Sequence, residues 1–221
     1  MASRLEADLH CRQREYRFHG KMTLRVSLGI CMAIFAWLVA SCEKVDQRAD
    51  LVFLNGAEPE TLDPAIITGQ PEGRIVNALF EGLCAYDENG QPSPGVAESW
   101  EISPDGKTYI FHIRTNAKWS DEFPLKAQDF VKSWHHTLKP ETGSQYNYQL
   151  YPIKNAQAFA EGKLADFSEV GVHAVDDRTL RVDLENPTSY FLQLCAFPTL
   201  HPLPVDLIKR VGDDWVKPAN I

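Results

Sequence analysis

Catalytic and cofactor signatures are missing from this 221-residue chain. It has no glycine-rich phosphate loop, nucleophile elbow, paired-cysteine metal spacing or His-Glu-x-x-His, so nucleotide, serine-hydrolase and zinc chemistry have no motif to stand on. His135 and His136 are adjacent, diverge by roughly 100° on a helix and cannot chelate one ion together. They read as solvated helix residues. Asp176-Asp177 and Asp213-Asp214 are neighbours that point apart, and the first pair falls where a hairpin needs turn residues. Trp100, Trp119 and Trp134 sit in patterned segments and read as core. Positive charge is in deficit as well: 22 Lys and Arg face 30 Asp and Glu, a net charge of −8, which argues against a large basic surface for nucleic acid. Repeats and low-complexity tracts are absent. With 44% hydrophobic and 24% charged residues the composition is that of an ordinary globular protein, with no cofactor and no enzyme activity indicated.

What is present begins with an export signal. Arg25 precedes a nearly unbroken apolar run over 26–39, followed by small residues and Cys42. A positive start, a short apolar centre and a small-residue cleavage site define a secretory leader. The run is short of the roughly 20 apolar residues a membrane span needs, although an uncleaved anchor helix is the competing reading. Leu38-Val39-Ala40-Ser41-Cys42 resembles the bacterial lipobox, whose cysteine is acylated and becomes the new N-terminus. Residues 22–41 are therefore expected to be a lipoprotein signal peptide and Cys42 the lipidation site. The mixed-charge stretch 1–21 fits no export signal and is expected to be an over-long gene start. Cys84 and Cys195 then remain in the mature part, both in apolar surroundings, as two buried thiols or, in an oxidising compartment, a disulfide.

The exported part predicts a short strand over 50–54 and a stiff Pro59/Pro64 loop. A helix over 71–81 follows, with Gly82 at C′, and then a break at 92–95. Paired strands are expected over 100–102 and 108–113, and a helix over 127–138 with Phe130, Val131, Trp134 and Leu138 on its apolar face. A hairpin around 176–178 and a short helix over 205–211 stopped by Gly212 complete the pattern. Interleaved helices and hairpins give an α/β fold with a mixed sheet.

Glu58-Pro59-Glu60-Thr61-Leu62-Asp63-Pro64, Leu79-Phe80-Glu81-Gly82-Leu83, Pro94-Gly95-Val96-Ala97-Glu98-Ser99-Trp100 and Ala117-Lys118-Trp119-Ser120-Asp121 resemble the bacterial family 5 extracellular solute-binding proteins. The likeness runs in order from about residue 51 to 221, nearest to the family's oligopeptide-binding members. It implies a class II periplasmic-binding-protein-like fold, with residues 45–81 and 206–221 as part of the first lobe and 82–205 as a complete second domain. The far lobe would lie beyond this chain, a truncation. The implied function is capture of peptides outside the membrane for a permease with ATPase subunits, an ABC importer, with the protein held at the membrane by its lipid anchor. Another solute such as nickel, haem or a sugar, or a tethered fragment that binds nothing, are the alternatives.

The same resemblance implies the ligand-facing residues. Thr68-Gly69-Gln70 aligns with an extended segment that pairs its backbone with the peptide. Relatives carry an acidic residue at the position of Thr68, so the resemblance does not carry over a preference for basic side chains. Tyr146 matches a tyrosine that reaches the peptide, while Tyr148 is not placed in the cleft. Phe197 matches a pocket position held by histidine in relatives, which would make this pocket more apolar. Two departures are structural. Glu122 follows Asp121 where the family has glycine, a steric cost if the turn needs a positive φ. Lys126 stands where a Thr or Ser helix cap is usual.

Overall fold

A computed structural model describes residues 52–217 and Asn220; the leader, Cys42 and the start of the expected 50–54 strand lie outside them. Residues 52–54 form no strand, since no second strand pairs with them among the described residues. From Leu54 onward the chain folds as one unit.

Alternation builds the sheet. In β4 (Thr108–Ile113) Tyr109, Phe111 and Ile113 are buried while the residues between them are half-buried. It pairs with β3 (Ala97–Ile102), Trp100 opposite Phe111, and on its other side with β6 (Thr179–Asp183), Phe111 opposite Leu180. The order is β3-β4-β6-β5, with β5 (Val172–Ala174) on the far edge. A two-stranded ribbon, β1 (Cys84–Tyr86) with β2 (Pro92–Pro94), precedes it. Every pair among the described strands is antiparallel, so the α/β class stands but the expected mixed pairing is replaced by hairpins and one long antiparallel return. The stretch expected as a break at 92–95 carries β2, because a proline is tolerated on a strand without a full ladder.

The 127–138 pattern is α2 (Ala127–Leu138), which lays Ala127, Phe130, Trp134 and Leu138 into the sheet core. The Trp134 indole N–H, buried among them, donates to the Leu200 carbonyl at 2.9 Å, so its polar atom is satisfied. Lysine has no acceptor with which to cap the helix. Asp129 instead reaches back to accept the Lys126 N–H at 2.9 Å, and Ala127 N–H donates to the Asp177 carbonyl at 2.9 Å. The lost cap is thus partly replaced by the 176–178 turn, to which Lys126 Nζ also bonds through Asp177 at 2.8 Å.

The helix expected over 71–81 is α1 (Gln70–Leu79), ending sooner than its pattern suggests. Phe80 turns extended and sets its ring edge-on to Trp215, with centroids 6.0 Å apart. That contact belongs to a second apolar cluster of Ala65, Leu203, Val205 and Trp215, with Ile66, Phe80 and Ile208 against it. Burial of Phe80 there outweighs another helical turn. Gly82 consequently does not take a positive φ. It is a point of close approach: a Cβ at Gly82 would lie 2.3 Å from the Cys195 carbonyl oxygen. The cluster is tied by Asp63, which accepts the Ala65 N–H at 2.8 Å and the Trp215 indole N–H at 3.1 Å. Burial raises the Asp63 carboxyl above its ordinary pKa against the pull of these bonds.

The remaining helices are short: α3 (Ala156–Ala160), α4 (Phe191–Cys195) and α5 (Val205–Val211), the last stopped by Gly212 at φ 63° as expected. A tight turn over 120–122 joins Lys118 to Pro124, with Trp119 N–H donating to the Phe123 carbonyl at 2.9 Å. Glu122 closes it at φ 70°, the left-handed geometry anticipated for this position.

Candidate functional site

Three of the residues singled out in sequence come together. Thr68 is exposed immediately before α1, and its carbonyl accepts a hydrogen bond from the Tyr146 hydroxyl at 3.3 Å. The Tyr146 ring stands perpendicular to Phe197, with centroids 6.0 Å apart and planes at 90°. Each is held by local structure. Tyr146 precedes a 3₁₀ turn over Asn147–Leu150 whose Leu150 is buried, and Phe197 caps a second one, Pro198–Leu200, that is buried throughout. Two anchored turns therefore present two half-buried rings over an extended piece of backbone. Such an edge offers main-chain groups and aromatic faces, the means of binding an extended chain without reading its sequence.

Gly69 and Gln70 are placed differently from each other. Gly69 is extended (φ −97°, ψ 157°), but Gln70 opens α1, so the extended segment is shorter than expected. Pro71 in the first helical turn explains this, since its missing N–H is one the helix would leave unpaired in any case. A residue that sequence reasoning missed fixes Gly69. Glu72 is buried, accepts the Glu60 N–H at 3.1 Å through Oε1, and holds Oε2 only 2.0 Å from where a Cβ on residue 69 would stand. Only the proximity of Glu72 to Pro71 could have hinted at it.

Tyr148 does not stand apart from this edge. Its ring lies 6.0 Å from Tyr146 at 72°. With Tyr151, Pro152, Tyr190, Leu194 and Phe197 it lines a surface hollow of about 560 Å³. The density of tyrosines over 146–151 was the available signal. A larger hollow of about 1250 Å³ lies elsewhere, lined by Phe80, Arg114, Trp119, Lys132 and Trp215 among others, and none of Thr68, Gly69, Gln70, Tyr146 and Phe197 lines it. His135 is half-buried and not fully solvated: it stacks on Phe167 at 4.3 Å, and burial lowers its pKa. Among the described residues no three His, Cys, Asp or Glu side chains are grouped to hold a metal ion, and no helix there is long and apolar enough to cross a membrane.

The antiparallel sheet backed by α2 thus carries an aromatic edge over exposed backbone. Residues 91–220 match the family described as bacterial extracellular solute-binding proteins, family 5 (middle region), and the chain belongs to that family. Periplasmic oligopeptide-binding protein OppA of Escherichia coli is 42% identical over 204 residues, 89% of this chain and 37% of that protein. The probable deoxycholate-binding periplasmic protein YgiS of the same species is 46% identical over 169 residues, 76% of this chain and 31% of its own length. Among solved structures, Haemophilus influenzae OppA in complex with RPPGFSPFR superposes with a TM-score of 0.71 at 42% identity, over 75% of this chain and 33% of that one. The chain thus spans about a third of the length of the relatives it matches. The family and these relatives are binding proteins.

Proposed function

We propose that this chain is the solute-binding component of an ABC importer, taking oligopeptides outside the cytoplasmic membrane and handing them to a permease with its ATPase subunits. It binds its solute and does not transform it. The observation that carries this reading is the Tyr146–Thr68 contact beside Phe197. A carbonyl has two lone pairs, so Thr68 can hold the tyrosine and still accept an N–H from an incoming strand. Thr68 and Gly69 supply the extended backbone, Gln70 leads into the helix, and Tyr146 and Phe197 flank them. Oligopeptide-binding names among the relatives support the same solute class. We assign 45–81 with 206–221 to one lobe and 82–205 to a second domain, the cluster around Ala65, Phe80 and Trp215 forming the seam at which Leu203 and Val205 of the second meet the first. Export through the 22–41 leader and anchoring through Cys42 complete the proposal.

A second reading rests on a specific observation. One relative is named for deoxycholate, and the uncharged aromatic hollow beside Phe197 suits a rigid apolar solute. Nuclear magnetic resonance titration with short peptides and, separately, with deoxycholate separates the two. Peptides should shift the Thr68 and Gly69 amides and the Tyr146 ring. Tyr146→Phe should weaken that binding by ~0.5–1.5 kcal/mol, the value of one hydrogen bond, or about 2- to 10-fold in Kd. Shifts confined to Tyr148, Tyr190 and Phe197 with deoxycholate, and none with peptides, would reverse the assignment.

A further inference from the structure

We propose that Cys84 and Cys195 are partners in one buried disulfide that closes when the chain folds under oxidising conditions. This goes beyond solute binding and does not depend on it. The two are the cysteines of the described residues, the other three lying at positions 11, 31 and 42. They come from distant parts of the chain, yet β1 and α4 pack together and place both side chains in one buried apolar cluster. That placement is held from both sides. The Tyr86 hydroxyl, in the same strand as Cys84, donates to the Gln193 carbonyl in α4 at 3.0 Å. Gly82 lets the Cys195 carbonyl approach so closely that no side chain would fit between them. Two elements held together in this way bring the backbones of residues 84 and 195 side by side, the arrangement a disulfide requires.

Both cysteines are almost wholly inaccessible, at 1% and 0% exposure. Burial raises the Cys195 thiol well above its usual pKa, and the thiolate is the nucleophile, so the folded dithiol is inert to exchange. Bond formation therefore belongs to folding, before α4 closes on β1. The oxidant is an external disulfide, either a small molecule or an oxidoreductase. One protein thiolate attacks it, forms a mixed disulfide and releases one thiolate. The second protein thiolate then displaces the remaining thiol. Two protein thiols lose two protons and two electrons, and the external disulfide becomes two thiols. Among the described residues no third ligating side chain joins the pair as a structural metal site would need.

The experiment refolds the full chain from denaturant in a glutathione redox buffer and maps its peptides without reduction. The Cys84 peptide should be found linked to the Cys195 peptide, the free thiols of the pair falling from two to none. In native buffer the link should resist excess dithiothreitol and yield only on unfolding. Cys84→Ala and Cys195→Ala should each leave the other cysteine free or glutathionylated. Should either variant not fold, the wild-type peptide map still decides. Two alkylatable thiols at Cys84 and Cys195 after oxidative refolding, or links from either to Cys11, Cys31 or Cys42 instead, would overturn the proposal. Peptide titration enters nowhere, so that failure would leave the binding reading untouched.

Discussion

Glu122→Gly should make this protein more stable. Glu122 holds φ at 70°, where an L side chain crowds the following carbonyl at a cost of about 1–2 kcal/mol that glycine escapes. Two terms oppose the gain. The substitution removes the Lys118–Glu122 pair at 2.9 Å, but its side chains are 52% and 79% exposed, so about 0.5 kcal/mol or less is lost. Glycine also frees the unfolded chain, which returns a further ~0.5 kcal/mol. The net runs from about zero to a stabilisation of about 1.5 kcal/mol, centred at about 0.75 kcal/mol, or roughly 1.5–3 °C in Tm at the centre for a chain of this size. Calorimetry of wild type, Glu122→Gly and Glu122→Ala separates the terms. Alanine keeps the strain and loses the pair, so it should be neutral or slightly destabilising, and high salt should shrink its deficit while leaving the glycine gain. Asn155 is the counter-example: it too has a positive φ, 62°, but asparagine tolerates that geometry and its Nδ2 donates to the Glu169 carbonyl at 2.8 Å. Asn155→Gly should therefore destabilise. If Glu122→Gly melts no higher than Glu122→Ala, the strain argument is wrong.

His201 is buried, and burial pushes its pKa down to about 4 from 6.5. The unfolded chain then takes up the proton first as pH falls, so stability present above pH 6.5 is lost progressively towards pH 4, about 2 kcal/mol by pH 5. Unfolding free energies from urea titrations at pH 7 and 5 should differ by that much, and His201→Gln should flatten the difference; an unchanged pH dependence in the variant would acquit the histidine. Gly69→Ala should cost ~1–3 kcal/mol by driving the new methyl into Glu72, and the penalty should fall in a Glu72→Ala background. An equal penalty in both backgrounds would mean that Glu72 is not the obstacle. Labelling with a fatty-acid analogue should mark the protein through Cys42 and vanish in Cys42→Ala; a persisting label would remove the anchor from the proposal.

Elements whose burial follows a period were legible. The alternation of 108–113, the i, i+4 face of 127–138 and the turn residues at 176–178 each produced the element observed. What failed was decided by contacts far along the chain. Phe80 leaves its helix for Trp215, and Gly82 makes room for Cys195 where a helix cap had been expected. The prolines of 92–94 looked like an interruption because no local rule shows that Cys84–Tyr86 will lie alongside them. At the candidate site the gap is wider. Tyr146, Phe197 and Thr68 were named through family resemblance, for nothing in their local sequence joins three segments so distant. Glu72 escaped notice because its importance lies in the space it occupies over Gly69. The contact between the Tyr146 and Tyr148 rings is hidden in sequence for the same kind of reason, since it exists only once the 3₁₀ turn forms.

The Asp63–Trp215 hydrogen bond spans 152 positions of chain. On a ribosome adding about 5–20 residues each second, the aspartate emerges on the order of ten seconds before its indole exists. Throughout that interval Ala65, Ile66 and Phe80 have none of the partners that 203–216 will supply. The sheet and α2, whose residues lie between, can be complete while this outer seam is still open. Translation thus orders the two apolar clusters in time, the inner one first. It also gives any leader-guided export route a window in which the chain is already half-built but not yet closed.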